Sequence, residues 1–218
     1  MARVLALDTT AELGSIALYD GQVLDEITMH SPEGFGHILF DRIRSLLDRA
    51  GVRVSDIDCF ASASGPGSFT GVRVGLTAAK GLAEASGKPV VAVSNLMALA
   101  WFGSGPLRAT VLDARRGEIY GALYGPDLEA IQPERVMKFP VWLDGLPDGD
   151  VEFISTNFAP FQAAIEASRF RSARISGISG TLAGAIARIA HTERGVDPAA
   201  VDANYVRRSD AELFWKEA

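Results

Sequence analysis

A mixed α/β fold of two lobes built on one plan is what this sequence predicts, and three observations predict it. The first half reads as a β-β-β-α-β-α-β order of elements. DTTAELGSIALY (8–19) and DARRGEIYGALY (113–124) have equal length, begin with Asp, end in Ala-Leu-Tyr, and each follows an apolar strand, VLAL or ATVL. They stand 105 residues apart, close to half of the 218-residue chain, and a strand pair recurring at that distance points to duplication. Finally, 48% hydrophobic and 22% charged residues give ample material for a buried core. Lobes at 1–104 and 105–218 are expected, with a C-terminal tail that returns to the body.

The elements follow in order. VLALD (4–8) is a short strand, apolar enough to be buried on both faces. In SIALYDGQVLDEITM, Asp20-Gly21 between alternating apolar residues is a hairpin signal. HILFDRIRSLLDRAG (37–51) places Ile38, Leu39, Ile43, Leu46, Leu47 and Ala50 at helical spacing, and Gly51 is its stop. DIDCFASASG (56–65) is strand-like, TGVRVGLTAAKGLAEASG (70–87) is a helix rich in small residues, and PVVAVS (89–94) is a strand. In the second half VEFIST (151–156) reads as a strand, with FAPFQAAIEA (158–167) and TLAGAIARIAHTE (181–193) as helices.

Charge and composition exclude several function classes. The net charge of −6 argues against a chain that grips nucleic acid alone, because phosphate binding needs a basic face. Arg207 and Arg208 are the candidate local patch. No apolar run approaches the ~20 residues that span a bilayer, and Arg3 and Asp8 interrupt the first apolar segment. The lone Cys59 sits in a strand-like run and reads as a buried thiol. A cytoplasmic location, away from membranes, is the expectation.

SGPGSFTGVR (64–73), between a strand and a helix, looks at first like a phosphate loop. It fits neither template. Gly67 and Gly71 are one residue too close for a P-loop, and Val72-Arg73 stands where Lys-Ser/Thr is required. Thr70 occupies the third glycine of the dinucleotide pattern that Gly65 and Gly67 begin. A turn explains the segment better, with Pro66 restricting it and Ser68 capping the helix that follows. Within that helix Gly71, Gly75, Ala79 and Ala83 recur every fourth residue and make one nearly smooth face. Such a face suits tight packing inside the molecule or a close helix–helix contact with another subunit, and the spacing leaves both open.

Asp8 with Thr9 and Thr10, and Asp113 with Arg115, lie at strand-to-turn corners of the two repeats. In two-lobed nucleotide-binding folds such aspartates orient Mg²⁺ or attacking water. A turn-forming Asp that bonds its own loop is the equal alternative. Gly177, Gly180 and Gly184 suit an adenine pocket, though a loop followed by a helix explains them with fewer assumptions. No H-x-x-x-H or H-E-x-x-H pair occurs among the 3 histidines, so neither a metal site nor any cofactor is expected. His37, with Glu33 four residues earlier, reads as solvated or capping. G-x-S-x-G in a strand-to-helix context is also missing, which leaves nucleophilic hydrolysis without support.

With these segments in place, the sequence resembles the TsaB (YeaZ) family of bacterial tRNA threonylcarbamoyladenosine biosynthesis subunits. The match runs through LALDTT (5–10), GSIAL (14–18), GPGSFTGVRVG (65–75), VAVSNLMALA (91–100) and DARRGEIYGALY (113–124), then weakly through YVRRSDAELFW (205–215). Residues 126–200 match loosely. The resemblance implies an actin-like ATPase (ribonuclease H-like) fold with duplicated mixed-sheet lobes. It also implies a non-catalytic subunit that pairs with the catalytic paralogue TsaD, joined by the ATPase TsaE, in threonylcarbamoyl transfer to the adenosine beside the tRNA anticodon. TsaD carries a helix-borne H-x-x-x-H pair, whereas this sequence has Glu33 where the first histidine would stand. Pairing in the family is attributed to the first two long helices, here 37–50 and 70–86. That places Ile38, Phe40, Ile43, Leu47, Phe69, Gly71, Val72, Gly75 and Ala79 at the interface, with a homodimer when the partner is missing and tRNA reached only through the complex. An independently active actin-fold ATPase or small-molecule kinase is the alternative, with Asp8, Thr9, Thr10, Asp113 and Arg115 in a nucleotide cleft.

Overall fold

The computed structural model describes residues 2–22 and 24–206. Two compact units emerge: residues up to Ala98 together with Ser179–Ala203 form one, and Leu99–Ile178 forms the body of the other. Arg207, Arg208 and most of the weak tail match, with its expected return to the body, lie outside the described residues.

The first unit is a five-stranded sheet in the order β3-β2-β1-β4-β5. Its strands are β1 (Val4–Asp8), β2 (Leu13–Tyr19), β3 (Leu24–His30), β4 (Cys59–Ala63) and β5 (Val90–Val93). β1, β2 and β3 pair antiparallel, while β4 and β5 join in parallel. Helices α1 (Leu39–Ala50) and α2 (Phe69–Ser86) are the crossovers that this parallel half requires. A short α3 (Asn95–Ala100) follows β5.

The second unit repeats the plan. β6 (Leu107–Arg115), β7 (Glu118–Tyr124), β8 (Ala130–Lys138), β9 (Val151–Ser155) and β10 (Arg174–Gly177) form a sheet in the order β8-β7-β6-β9-β10. Helices α4 (Phe139–Asp144) and α5 (Gln162–Glu166) stand where α1 and α2 stand in the first sheet. Strand for strand the two orders are the same, with the same split between antiparallel and parallel pairing. The duplication predicted from two twelve-residue segments is therefore a duplication of the whole sheet.

The last helix, α6 (Ala183–Thr192), lies within the sequence of the second repeat but packs on β1, β2, β4 and β5 of the first unit. Strand alternation explains why it fits. Leu5, Leu7, Ile16, Leu18 and Phe60 share one core with α1 and α2. The alternating residues Ala6, Ser15, Ala17 and Ala61 turn to the other face, where Ala183, Ala187 and Ala190 of α6 are buried. Two polar side chains seat the helix: the Ser15 hydroxyl accepts the Ala183 N–H at 3.0 Å, and Glu26 accepts the Gly184 N–H at 3.4 Å. They stand in for the N-cap that its own sequence does not supply, since no side chain of its cap residue bonds the helix.

On the other face α1 buries Leu39, Ile43, Leu46 and Leu47, each worth about 1.5–3 kcal/mol removed from water. Gly51 closes the helix in the left-handed conformation, as its place in the sequence predicts. The second unit's core is aromatic instead, with Phe139, Trp142, Phe153, Phe161 and Phe170 in one cluster. Cys59 is buried, and that burial, with Asp58 adjacent, pushes its thiol up to about 11, so it is inert at neutral pH. No helix among the described residues is long and apolar enough to cross a membrane.

Candidate functional site

β1 ends in Asp8, and the chain turns through Thr9 and Thr10. All three are buried, 1%, 1% and 5% exposed. The Asp8 carboxylate accepts the Thr10 N–H at 3.0 Å and the Thr10 hydroxyl at 2.6 Å. Asn95, at the head of α3, donates to that hydroxyl at 2.5 Å and accepts the Gly65 N–H at 3.0 Å. Ser68 N–H donates to the Thr10 carbonyl at 2.8 Å. The glycine-rich segment therefore closes over the Asp8 corner. Burial pushes the Asp8 carboxyl up to about 6; the Thr10 bonds oppose this, and Glu26 nearby adds to it.

The same segment launches α2. Ser68 is its N-cap, accepting the Gly71 N–H at 3.2 Å, as the sequence predicts. A Cβ on Gly71 would lie 2.0 Å from the Thr9 carbonyl oxygen, and one on Gly75 would lie 2.7 Å from the Thr9 hydroxyl and 2.9 Å from that of Ser62. Ala79 and Ala83 are fully buried. Gly71, Gly75 and Ala79, expected at a partner interface, are thus packed within their own unit. The small-residue face lets α2 settle against the backbone of its own unit. Ile43, Leu47 and Val72, expected there as well, belong to the core between the helices and the sheet.

Three of the expected interface residues do reach the surface. Phe40 is 57% and Phe69 44% exposed, and Ile38 is partly buried. Phe40 and Phe69 flank a groove between α1 and α2 of about 430 Å³, lined by Leu39, Phe40, Phe69, Arg73, Val74 and Thr77 among others. The Arg73 guanidinium lies over the Phe69 ring at 3.8 Å from its centre. Arg73, Val74 and Thr77 were missed from the sequence, although their spacing from Phe69 and Thr70 puts them on one helical face.

In the second unit Asp113 and Arg115 sit at the β6–β7 hairpin, both exposed. Asp113 accepts the Arg115 N–H at 2.8 Å, the turn-forming role. Gly184 fits closely against Glu26 and Leu24, with 2.8 Å and 3.0 Å left for a Cβ, so packing explains it without a base. Among the described residues no three His, Cys, Asp or Glu side chains gather to hold a metal ion.

Two sheets of one duplicated mixed topology, one of them bearing an open aromatic groove between its crossover helices, define a duplicated actin-like fold. Residues 33–206 match the family model described as TsaD, tRNA N6-adenosine threonylcarbamoyltransferase. The tRNA threonylcarbamoyladenosine biosynthesis protein TsaB of Bacillus subtilis is 30% identical over 99% of this chain and 98% of its own length. The Escherichia coli TsaB is 35% identical over 62% of each chain. A Pseudomonas aeruginosa protein described as similar to peptidase YeaZ superposes with a TM-score of 0.80 at 28% identity, over 95% of this chain and all of that one. The chain belongs to the TsaB family.

Proposed function

We propose that this chain is a non-catalytic partner subunit in threonylcarbamoyladenosine formation on tRNA. It docks through the α1–α2 groove onto a TsaD-type paralogue, TsaE joins the pair, and tRNA is engaged through the assembly. The observation that carries this is the groove. Phe40 and Phe69 stand open on the outer side of two helices whose inner faces are already filled. Exposed aromatics beside an arginine are the composition of an interface centre. The same face can pair with a second copy when the paralogue is missing.

A second function, an actin-fold ATPase or small-molecule kinase, asks Asp8 to meet Mg²⁺ or water. Here its carboxylate is enclosed and its Oδ1 is engaged by Thr10. Reconstitution tests the choice: tRNA modification is assayed with the TsaD paralogue and TsaE, with and without this chain. Modification that requires the chain, while the chain alone turns over no ATP, is the expected result. ATP turnover by the chain alone that disappears in Asp8→Ala overturns it.

A further inference from the structure

β8 is an edge strand, and beside it the second unit carries an apolar groove of about 280 Å³. Pro133, Arg135 and Met137 of β8 line it with Val141 and Trp142 of α4. A Cβ on Gly121 would lie 2.7 Å from the Trp142 ring, so that glycine of β7 is what lets the indole settle against the sheet. Val141 is 61% exposed, and Ile131, also on β8, is 47% exposed. The volume falls short of the ~300–1,000 Å³ of small-molecule sites, and it suits one or two side chains.

The last described residues reach the groove's own strand. Asn204, which belongs to the second unit, donates its side-chain amide to Glu134 at 2.6 Å. The Tyr124 hydroxyl donates to the other oxygen of that carboxylate at 2.8 Å. Glu134 stands on β8 between Pro133 and Arg135, two of the residues that line the groove. Beyond Val206 come twelve residues, RRSDAELFWKEA. Their one run of large apolar side chains is Leu213-Phe214-Trp215, and such side chains gain by leaving water. Asp210 and Glu212 come just before it and are opposite in sign to Arg135, the charged residue of the lining. Leu213 is nine residues beyond Asn204, a reach of up to ~30 Å, while even the far face of an edge strand is on the order of 10 Å away.

We propose that the C-terminal segment docks on its own second unit, with Leu213-Phe214-Trp215 seated in the β8–α4 groove and the acidic residues before them facing Arg135. Docking there takes Val141 and Ile131 out of water, and the Asn204–Glu134 bond supplies the fixed point from which the segment starts.

Hydrogen exchange of the full chain, read by mass spectrometry, tests this. It is compared with a chain ending at Val206, with L213S/F214S/W215S, and with Val141→Glu. Loss of the tail or of its apolar run should speed exchange across 131–145 about fivefold or more, and leave α1 as it was. Val141→Glu, at an exposed place, should keep the melting temperature and speed exchange across 207–218. The triple serine variant keeps the test decisive should the shortened chain fold poorly. Unchanged exchange across 131–145 in that variant would overturn the proposal. Protection of 131–145 that grows with protein concentration would give the groove to a second copy instead. Weakened binding of the TsaD-type paralogue by Val141→Glu, with exchange across 207–218 unchanged, would give it to that partner, and either result overturns the assignment.

Discussion

The Thr9 hydroxyl donates to the carbonyl of Gly71 at 2.6 Å, across 62 residues of sequence. That bond ties the first turn of α2 to the end of β1, beside the small-residue face. Bulk at Gly75 would push on Thr9 and Ser62 inside the unit. Gly75→Leu should therefore destabilise the isolated chain by about 1–3 kcal/mol or more, a loss of roughly 2–4 °C per kcal/mol. Thermal melting checks this. A wild-type melting temperature with lost partner affinity would restore the interface assignment.

Asp8 predicts a pH dependence with a definite sign. Its carboxyl is raised to about 6 from 3.8, so between roughly pH 4 and 6 the folded chain holds a proton that the unfolded chain has released. Stability from this group is full below about pH 4 and falls as pH rises through 6, by up to about 3 kcal/mol. Asp8→Asn should flatten that part of the profile. Urea unfolding at pH 4, 5, 6 and 7 measures it, and parallel profiles for the two proteins would refute the assignment.

Glu152 acts in the opposite direction. It is 2% exposed and accepts from Ser104 N–H at 2.8 Å, Gly105 N–H at 2.6 Å and the Ser176 hydroxyl at 2.6 Å. Burial raises its carboxyl, but these bonds and the Arg174 charge outweigh burial and hold it below the usual range. Its contribution is present above the unfolded pKa and is lost as pH falls through the lowered one. Glu152→Gln should cost about 1–3 kcal/mol at pH 7, and less as the pH drops below 4. An equal loss at pH 7 and pH 3 would show that shape, not charge, is what matters there.

Much of the first unit was legible because its signals are local: Asp20-Gly21 for the hairpin, Ser68 for the cap, Gly51 for the stop. The repeat was legible because two copies of one corner kept their Asp and Ala-Leu-Tyr. β8 was missed. Its sequence, AIQPERVMK, carries Pro133 and three charges, as befits an edge strand that shows one side to water. The seat of α6 was equally hidden, since Ser15 and Glu26 lie more than 150 residues before the N–H groups they accept. The α2 stripe was visible but its partner was not, because periodicity marks a face without saying what covers it.

Phe40 and Phe69 separate docking from folding. Both are exposed, and neither belongs to the buried core. Phe69 opens α2 and stacks under Arg73, while Phe40 stands on the first turn of α1 across the groove. A carboxylate at either place remains in water in the free chain, so Phe40→Glu and Phe69→Glu should shift stability by no more than about 0.5 kcal/mol. In a complex the same carboxylate is buried where an aromatic ring belonged. Truncating a central aromatic typically costs 2 kcal/mol or more, and an unpaired buried charge adds to that. Affinity for the TsaD paralogue should then fall at least about thirtyfold for each variant, with melting temperature unchanged. Self-association, where measurable by sedimentation, should fall with it if both proposed pairings use one face. Titration calorimetry against the paralogue, beside a melting curve for each variant, reads both quantities. Wild-type affinity in both variants would remove the groove from the interface.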